Sequence, residues 1–304
     1  MNITITGDIG AGKSTVAKRI ANILKMNVVE AGDIYRKYSE NKGLNVLEQN
    51  KTDDWSIDKQ IDHDIEEMGK KVDNTIFVSR LAWHFVKDAV KVYISVNPIV
   101  AAKRIVSATR IGEKHNELIE TYNYNTERKR LELDRYREMY NLNDPSGYSD
   151  ADIIIVIGQN GINSVVDCII TAITNEEYGF FIDPRIMIPT QTIRDYNVGH
   201  VYEYVEAMSD ANVNKPYVSL NIRCDTYKNM LFYILDGHHR IAASILRNSK
   251  FIKIPKPDKI DHLIDIPRVY DYEDFVGVDL SYEVQLIDLS NISKNLTIER
   301  SKLK

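Results

Sequence analysis

The segment ITITGDIGAGKSTVAKRI, residues 3–20, sets Gly7, Asp8, Gly10, Ala11, Gly12, Lys13, Ser14 and Thr15 between a β-branched run and a helical pattern. The spacing is that of the phosphate-binding loop G-x-x-x-x-G-K-[ST], and the chemistry follows from the residue types. Backbone N–H groups can curl around an anion only where no Cβ blocks the turn, and glycine supplies that freedom. A helix starting near Lys13 adds its positive dipole end and its unsatisfied N–H groups. Lys13 then reaches the β and γ phosphates of a nucleoside triphosphate, and the Ser14 hydroxyl ligates a metal. The expectation is a site for ATP with Mg2+.

Other residues suit anions as well. Arg36 and Arg80 follow the ends of two expected strands, where paired guanidiniums could fork onto a second phosphate; ordinary surface ion pairs would satisfy the same residues. Arg104, Arg110, Arg128 and Arg135 belong to a long charged stretch of helical pattern, residues 104–150. It reads either as a solvated helix or as a lid that brings cations to a phosphoryl group in transfer and keeps water out. Farther on, LDGHHRIAASILR delivers Asp236, Gly237, His238, His239 and Arg240 from a strand onto a helix, an arrangement that suits phosphate or, more plainly, a pair of capping histidines. Adjacent imidazoles rarely converge on one metal ion, and no Cys or carboxylate cluster accompanies them.

These side chains need a scaffold. Ile3 and Ile5 alternate with Thr4 and Thr6 as in a strand, while Val16, Ala17, Ile20, Ile23 and Leu24 recur at helical spacing. Further strands are predicted at 27–30, 75–78, AVKVYISV and ADIIIVIG. Apolar runs alternating with helical segments predict an α/β fold, a mainly parallel sheet with helices on both faces and ligands beyond the strands' carboxyl ends. After NEEYGFFIDPR the pattern changes to a strand at 186–194, a helix at 198–213, strands at 217–224 and 230–237, and a helix from about Ile241. Two domains are expected, 1–176 and 177–304. The second is a smaller α+β unit with a tail from about 261 that packs on it and frays at its end.

Composition bounds the function. The chain has 304 residues, 43% of them hydrophobic, and no apolar run near the roughly 18 residues of a membrane span. Its start has neither the basic nor the apolar region of a targeting segment, so a cytoplasmic protein is expected. The net charge of −5 argues against coating nucleic acid. Cys168 and Cys224 lack zinc-site spacing and read as buried, reduced thiols.

Residues 1 to about 175 resemble the cytidylate kinase family of nucleoside monophosphate kinases, in its compact archaeal-type branch. The pieces that carry the resemblance are GDIGAGKSTVAKRIA, EAGDIYRKYSE, FVSRLAWHFV, AAKRIV and ERKRLELDRYREMYNLNDPSGYSDADIII. The resemblance implies an ATP-dependent kinase acting on a nucleoside monophosphate or nucleotide-like acceptor. Gly32, Asp33 and Arg36 would lie at the acceptor, Arg80 would hold its phosphate, and Arg128 and Arg135 would belong to the lid. Three residues depart from the family pattern: Asp8 stands where a small residue or Pro is usual, Lys129 where an acidic one is expected, and Ser79 where an acidic residue or Gly is common. Asp8 would meet Mg2+ through water or repel a charged acceptor, which leaves a neutral hydroxyl metabolite open as substrate.

Residues 180–260 resemble the ParB and sulfiredoxin superfamily through DGHHRIAA, spelled most like the free serine kinases. That implies a second nucleotide-handling centre, with Glu203 or Glu206 as base. Sulfiredoxin chemistry needs a reactive cysteine beside the motif, which neither Cys168 nor Cys224 provides. A nucleotide switch acting on DNA is the rival reading; an acidic chain without a helix-turn-helix pattern disfavours it.

Overall fold

The computed structural model describes residues 1–51, 55–107, 118–158, 160–191, 198–210, 222–227 and 231–257. Strand β1 (Asn2–Gly7) is buried at all but its last residue because it lies inside a seven-stranded sheet. It pairs in parallel with β3 (Thr75–Val78) on one side and β4 (Ala89–Val96) on the other. Outward from β3 lies β2 (Asn27–Glu30); outward from β4 lie β5 (Ile153–Ile157) and β6 (Gly179–Ile182), all parallel. The edge is closed by β10 (Ile252–Ile254), antiparallel to β6, giving the order β10-β6-β5-β4-β1-β3-β2.

Parallel strands are covered on both faces, which is why β5 reads IIIVI without alternation. Ile153, Ile155 and Ile157 join one core with Val16, Ala17 and Ile20 of α1 (Lys13–Leu24) and Val165, Cys168 and Ile169 of α8 (Ile162–Thr174). On the other face, Phe77 is packed by Ile61 and Ile65 of α4 (Ser56–Lys71) and by Ala82 of α5 (Ala82–Phe85). Beside these lie α2 (Ala31–Asn41), α3 (Val46–Asn50), α6 (Pro98–Ser107) and the long α7 (Leu118–Tyr140).

The rest of that second face is covered by the carboxyl half of the chain. A small sheet of β7 (Met187–Pro189), β9 (Leu231–Asp236) and β8 (Arg223–Tyr227), in that order, packs with α9 (Val198–Asp210) and α10 (His238–Leu246). Phe232, Ile234, Ile241 and Ala242 share one core with Ile154, Val156, Phe180 and Ile182 of the large sheet. Burying such side chains stabilises by roughly 2 kcal/mol each. The boundary expected at 176/177 falls just before β6, so residues on its far side supply two strands of the large sheet as well as the small sheet.

The expected strand 186–194 is observed as β7, with residues 192–194 outside the described residues. The strand expected at 217–224 begins at Arg223, and 217–221 lie outside the described residues, as do 211–213 of the expected helix. The helix expected from about Ile241 starts at His238, because Gly237 takes the left-handed conformation (φ 90) and caps it there. The tail from 258 is outside the described residues. Both cysteines are free thiols, Cys168 buried and Cys224 half-buried. Among the described residues no helix is long and apolar enough to cross a membrane.

Candidate active site

The phosphate loop connects β1 to α1 at the carboxyl end of the parallel sheet. A side chain at Gly7 would place its Cβ 2.0 Å from the Ile94 carbonyl oxygen, so the strand can approach β4 closely only with glycine. Gly12 caps α1 in the left-handed conformation, φ 80. Lys13 Nζ donates to the carbonyls of Gly7 (2.9 Å) and Asp8 (2.7 Å), which holds the ammonium against the loop. Burial, then the nearby Arg80, draws the Lys13 ammonium down to about 7, against the opposing pull of Asp8 and Glu132. A cation in that condition gains from an incoming polyphosphate.

A cleft of about 540 Å³ runs from this loop to α2 and α4 and is bordered by α7. The buried stripe of α7 is polar: Thr121, Asn125, Arg128, Glu132, Arg135 and Tyr136. Glu132 is its hub, accepting from Arg80 Nη2 at 2.7 Å, Arg128 Nε at 2.8 Å and Asn50 Nδ2 at 3.1 Å. Burial alone would raise its carboxyl, but Arg80 and Arg128 hold it below the ordinary range. Arg135 donates to the Tyr35 hydroxyl at 2.9 Å and to Asp58 Oδ1 at 3.2 Å. The Asp58 Oδ2 atom is buried without a hydrogen-bond partner among the described residues.

One helical turn on, Asp62 accepts from the Tyr140 hydroxyl at 2.8 Å, and burial pushes its carboxyl up to about 7. The folded protein therefore holds a proton that the unfolded chain releases near 3.8, so this group makes stability fall as pH rises between those values. Asp62→Asn keeps an acceptor for Tyr140. It is expected to raise the thermal midpoint at pH 8 by roughly 5 °C and to leave it unchanged at pH 4, measured by calorimetry. An equal gain at both values would mean that Asp62 does not titrate in this window.

A family model described as an AAA domain matches residues 3–123. The cytidylate kinase of Archaeoglobus fulgidus is 35% identical over 176 residues, covering 57% of this chain and 94% of that one. The chain belongs to the cytidylate kinase family. The cytidylate kinase of Natronomonas pharaonis is 33% identical over 177 residues, 57% of this chain and 90% of its own. A shikimate kinase structure from Bacteroides thetaiotaomicron aligns with 57% of this chain and 98% of that one, at 16% identity and a TM-score of 0.40. As a member of the family the protein is an ATP-dependent kinase that takes its nucleotide with Mg2+, and the loop with its half-buried lysine and glycine cradle suits that ligand.

The structure brings many of the expected residues into this cleft: Gly7, Asp8, Gly10, Gly12, Lys13, Ser14 and Thr15 line one end, Gly32, Arg36, Arg80 and Arg128 the rest. Ala11 is buried beneath the loop. The Arg36 guanidinium folds back over Gly32, where an added Cβ would lie 3.7 Å from it. Arg135 meets the cleft through Tyr35 and Asp58. Arg104 does not line the cleft; it donates to the Gly158 carbonyl at 3.2 Å, just past β5, because α6 carries it to that side. The Asp33 side chain and all of Arg110 lie outside the described residues.

Asp8 lines the cleft, but its carboxylate is engaged by protein groups: Tyr93, Ser95, the Val96 N–H and Lys129 all reach it. Glu203 and Glu206 are exposed on α9 and line no part of the cleft. His238 is buried, touching Thr190 and Gln191 through its ring nitrogens, while the His239 Nε2 atom is buried without a partner among the described residues. Among the described residues no His, Cys, Asp and Glu group could hold a metal ion.

Tyr35, Asp58, Asp62, Glu132 and Tyr136 also line the cleft, and sequence reasoning did not single them out. A signal was present. In SIDKQIDHDIEEMGKK the buried positions are Asp58, Ile61, Asp62 and Ile65, two carboxylates on the stripe where an amphipathic helix carries apolar residues.

Proposed function

We propose that this protein transfers the terminal phosphoryl group of ATP to a cytidine monophosphate, ribo or deoxy, making the diphosphate. The observation that carries this reading is a single cleft joining the phosphate loop to Arg36, Arg80 and Arg128. Lys13 and the loop amides hold the donor phosphates, and Mg2+ bound through Ser14 would neutralise the charge that develops between donor and acceptor. Arg36 and Arg80 hold the acceptor phosphate in line, and Arg128 adds positive charge from α7. Arg135 is a positioning residue that orients Tyr35 and Asp58. The partnerless Asp58 oxygen suits an exocyclic amino donor such as the cytosine N4 group, which a carboxylate accepts from well. The relatives' being cytidylate kinases supports the same acceptor.

The second reading places a further phosphate-handling centre at Asp236–Arg240, where the orphaned His239 nitrogen favours a polar ligand. Labelled ATP incubated with CMP, dCMP, UMP and serine tests both. The expected result is labelled CDP and dCDP from the wild type and from His239→Ala, and none from Lys13→Ala. Unlabelled cytidine nucleotides together with serine labelling that depends on His239 would overturn the first reading in favour of the second.

A further inference from the structure

A carboxylate in the second position of a phosphate loop is a liability, since each donor phosphate entering the loop carries like charge. Asp8 is 8% exposed and its side chain is fixed by four contacts. Oδ2 accepts from Ser95 Oγ at 2.9 Å and from the Val96 N–H at 3.1 Å, and Oδ1 accepts from the Tyr93 hydroxyl at 3.1 Å. Tyr93 and Ser95 are alternate residues of β4 and so share a face of the sheet. The remaining partner comes from a different element: Lys129 Nζ of α7 meets Asp8 Oδ1 at 2.6 Å.

Three consecutive cations of α7 go to three places. Arg128 turns to Glu132 at 2.8 Å, and Arg130 pairs with Glu127 and Asp134 on the outer face. Lys129 contacts the phosphate loop through Asp8, and it lines the cleft with 44% of its side chain exposed. The contact joins a carboxylate of the loop to an ammonium of α7, so the two charges cancel where they meet.

We infer that Asp8 and Lys129 form a charge-neutral clasp that seats α7 on the phosphate loop. In it Lys129 masks Asp8 from the donor phosphates, and both are positioning residues for transfer. The same helix carries Arg128, Glu132 and Arg135, so the clasp sets the distance between the donor end of the cleft and the groups expected to serve the acceptor.

The test compares Mg·ATP affinity by calorimetry, and turnover with CMP, for Lys129→Met, Asp8→Asn, the double variant and Lys129→Arg in the full chain. Lys129→Met unmasks the carboxylate and is expected to weaken Mg·ATP binding about tenfold. The double variant is expected to regain affinity to within about threefold of wild type while its kcat stays low, because the charge problem is gone and the seating is not restored. Lys129→Arg keeps both. If the double variant binds as weakly as Lys129→Met, Lys129 contacts phosphate directly and the masking role is wrong. Undiminished affinity in Lys129→Met would overturn it too. Should Lys129→Met fail to fold, the double variant and Lys129→Arg decide the matter: a weakly binding double variant, or an arginine that does not preserve affinity, ends the proposal.

Discussion

Lys13→Ala is expected to lower kcat by roughly three orders of magnitude without lowering the thermal midpoint. The two halves of that expectation come from one geometry. The half-buried ammonium is held by the carbonyls of Gly7 and Asp8, at 2.9 and 2.7 Å, where it lines the cleft. A preorganised charge of this kind stabilises charge that develops at the γ phosphate, and mobile water is a poor substitute for it. Burial and Arg80 meanwhile disfavour the ammonium, so removing it relieves a cost in the folded state. Steady-state kinetics beside a thermal melt reads both effects. A variant that keeps its turnover would exclude Lys13 from the chemistry.

Glu132→Ala is expected to destabilise the protein by about 3–5 kcal/mol, the loss found when one partner of a buried ion pair is removed. Glu132 is 4% exposed and receives Arg80, Arg128 and Asn50 on one carboxylate oxygen, so its removal leaves two guanidiniums and an amide without that acceptor. Glu132→Gln preserves the shape and one acceptor oxygen and should lose less. Denaturant unfolding monitored by fluorescence gives the difference. A loss under about 1 kcal/mol would mean that the two arginines reach water or another carboxylate once Glu132 is gone.

The legibility of this fold and site followed physical lines. The phosphate loop could be read because each residue type has a stringent steric or charge requirement, and β1, β3, β4 and β5 because buried parallel strands are continuous apolar runs. The strands β6 and β10 escaped notice: GFFI and IKI are too short to show a period, and IKI is bracketed by Phe251 and Pro255. Their existence depends on pairing with each other and with β5, which no local pattern records. Arg128 and Arg135 are legible as cations, but their partners are not, since acidic residues on a helix ordinarily face water. In the sequence, Asp8 stands to meet Mg2+ through water or to repel a charged acceptor; its neighbours across 85 to 121 positions of sequence decide that it faces β4 and α7.

The antiparallel pairing of β10 with β6 has a consequence for how such a chain can be remodelled. A segment tethered by a linker can be traded for another by recombination at the joint. Here the joint lies inside a shared hydrogen-bonded ladder, and Phe232 and Ile234 share one core with Ile154, Val156 and Tyr93, the last of which also lines the nucleotide cleft. Any substitute for the carboxyl half must bring its own closing strand and its own apolar lining, so the two parts are held to change together.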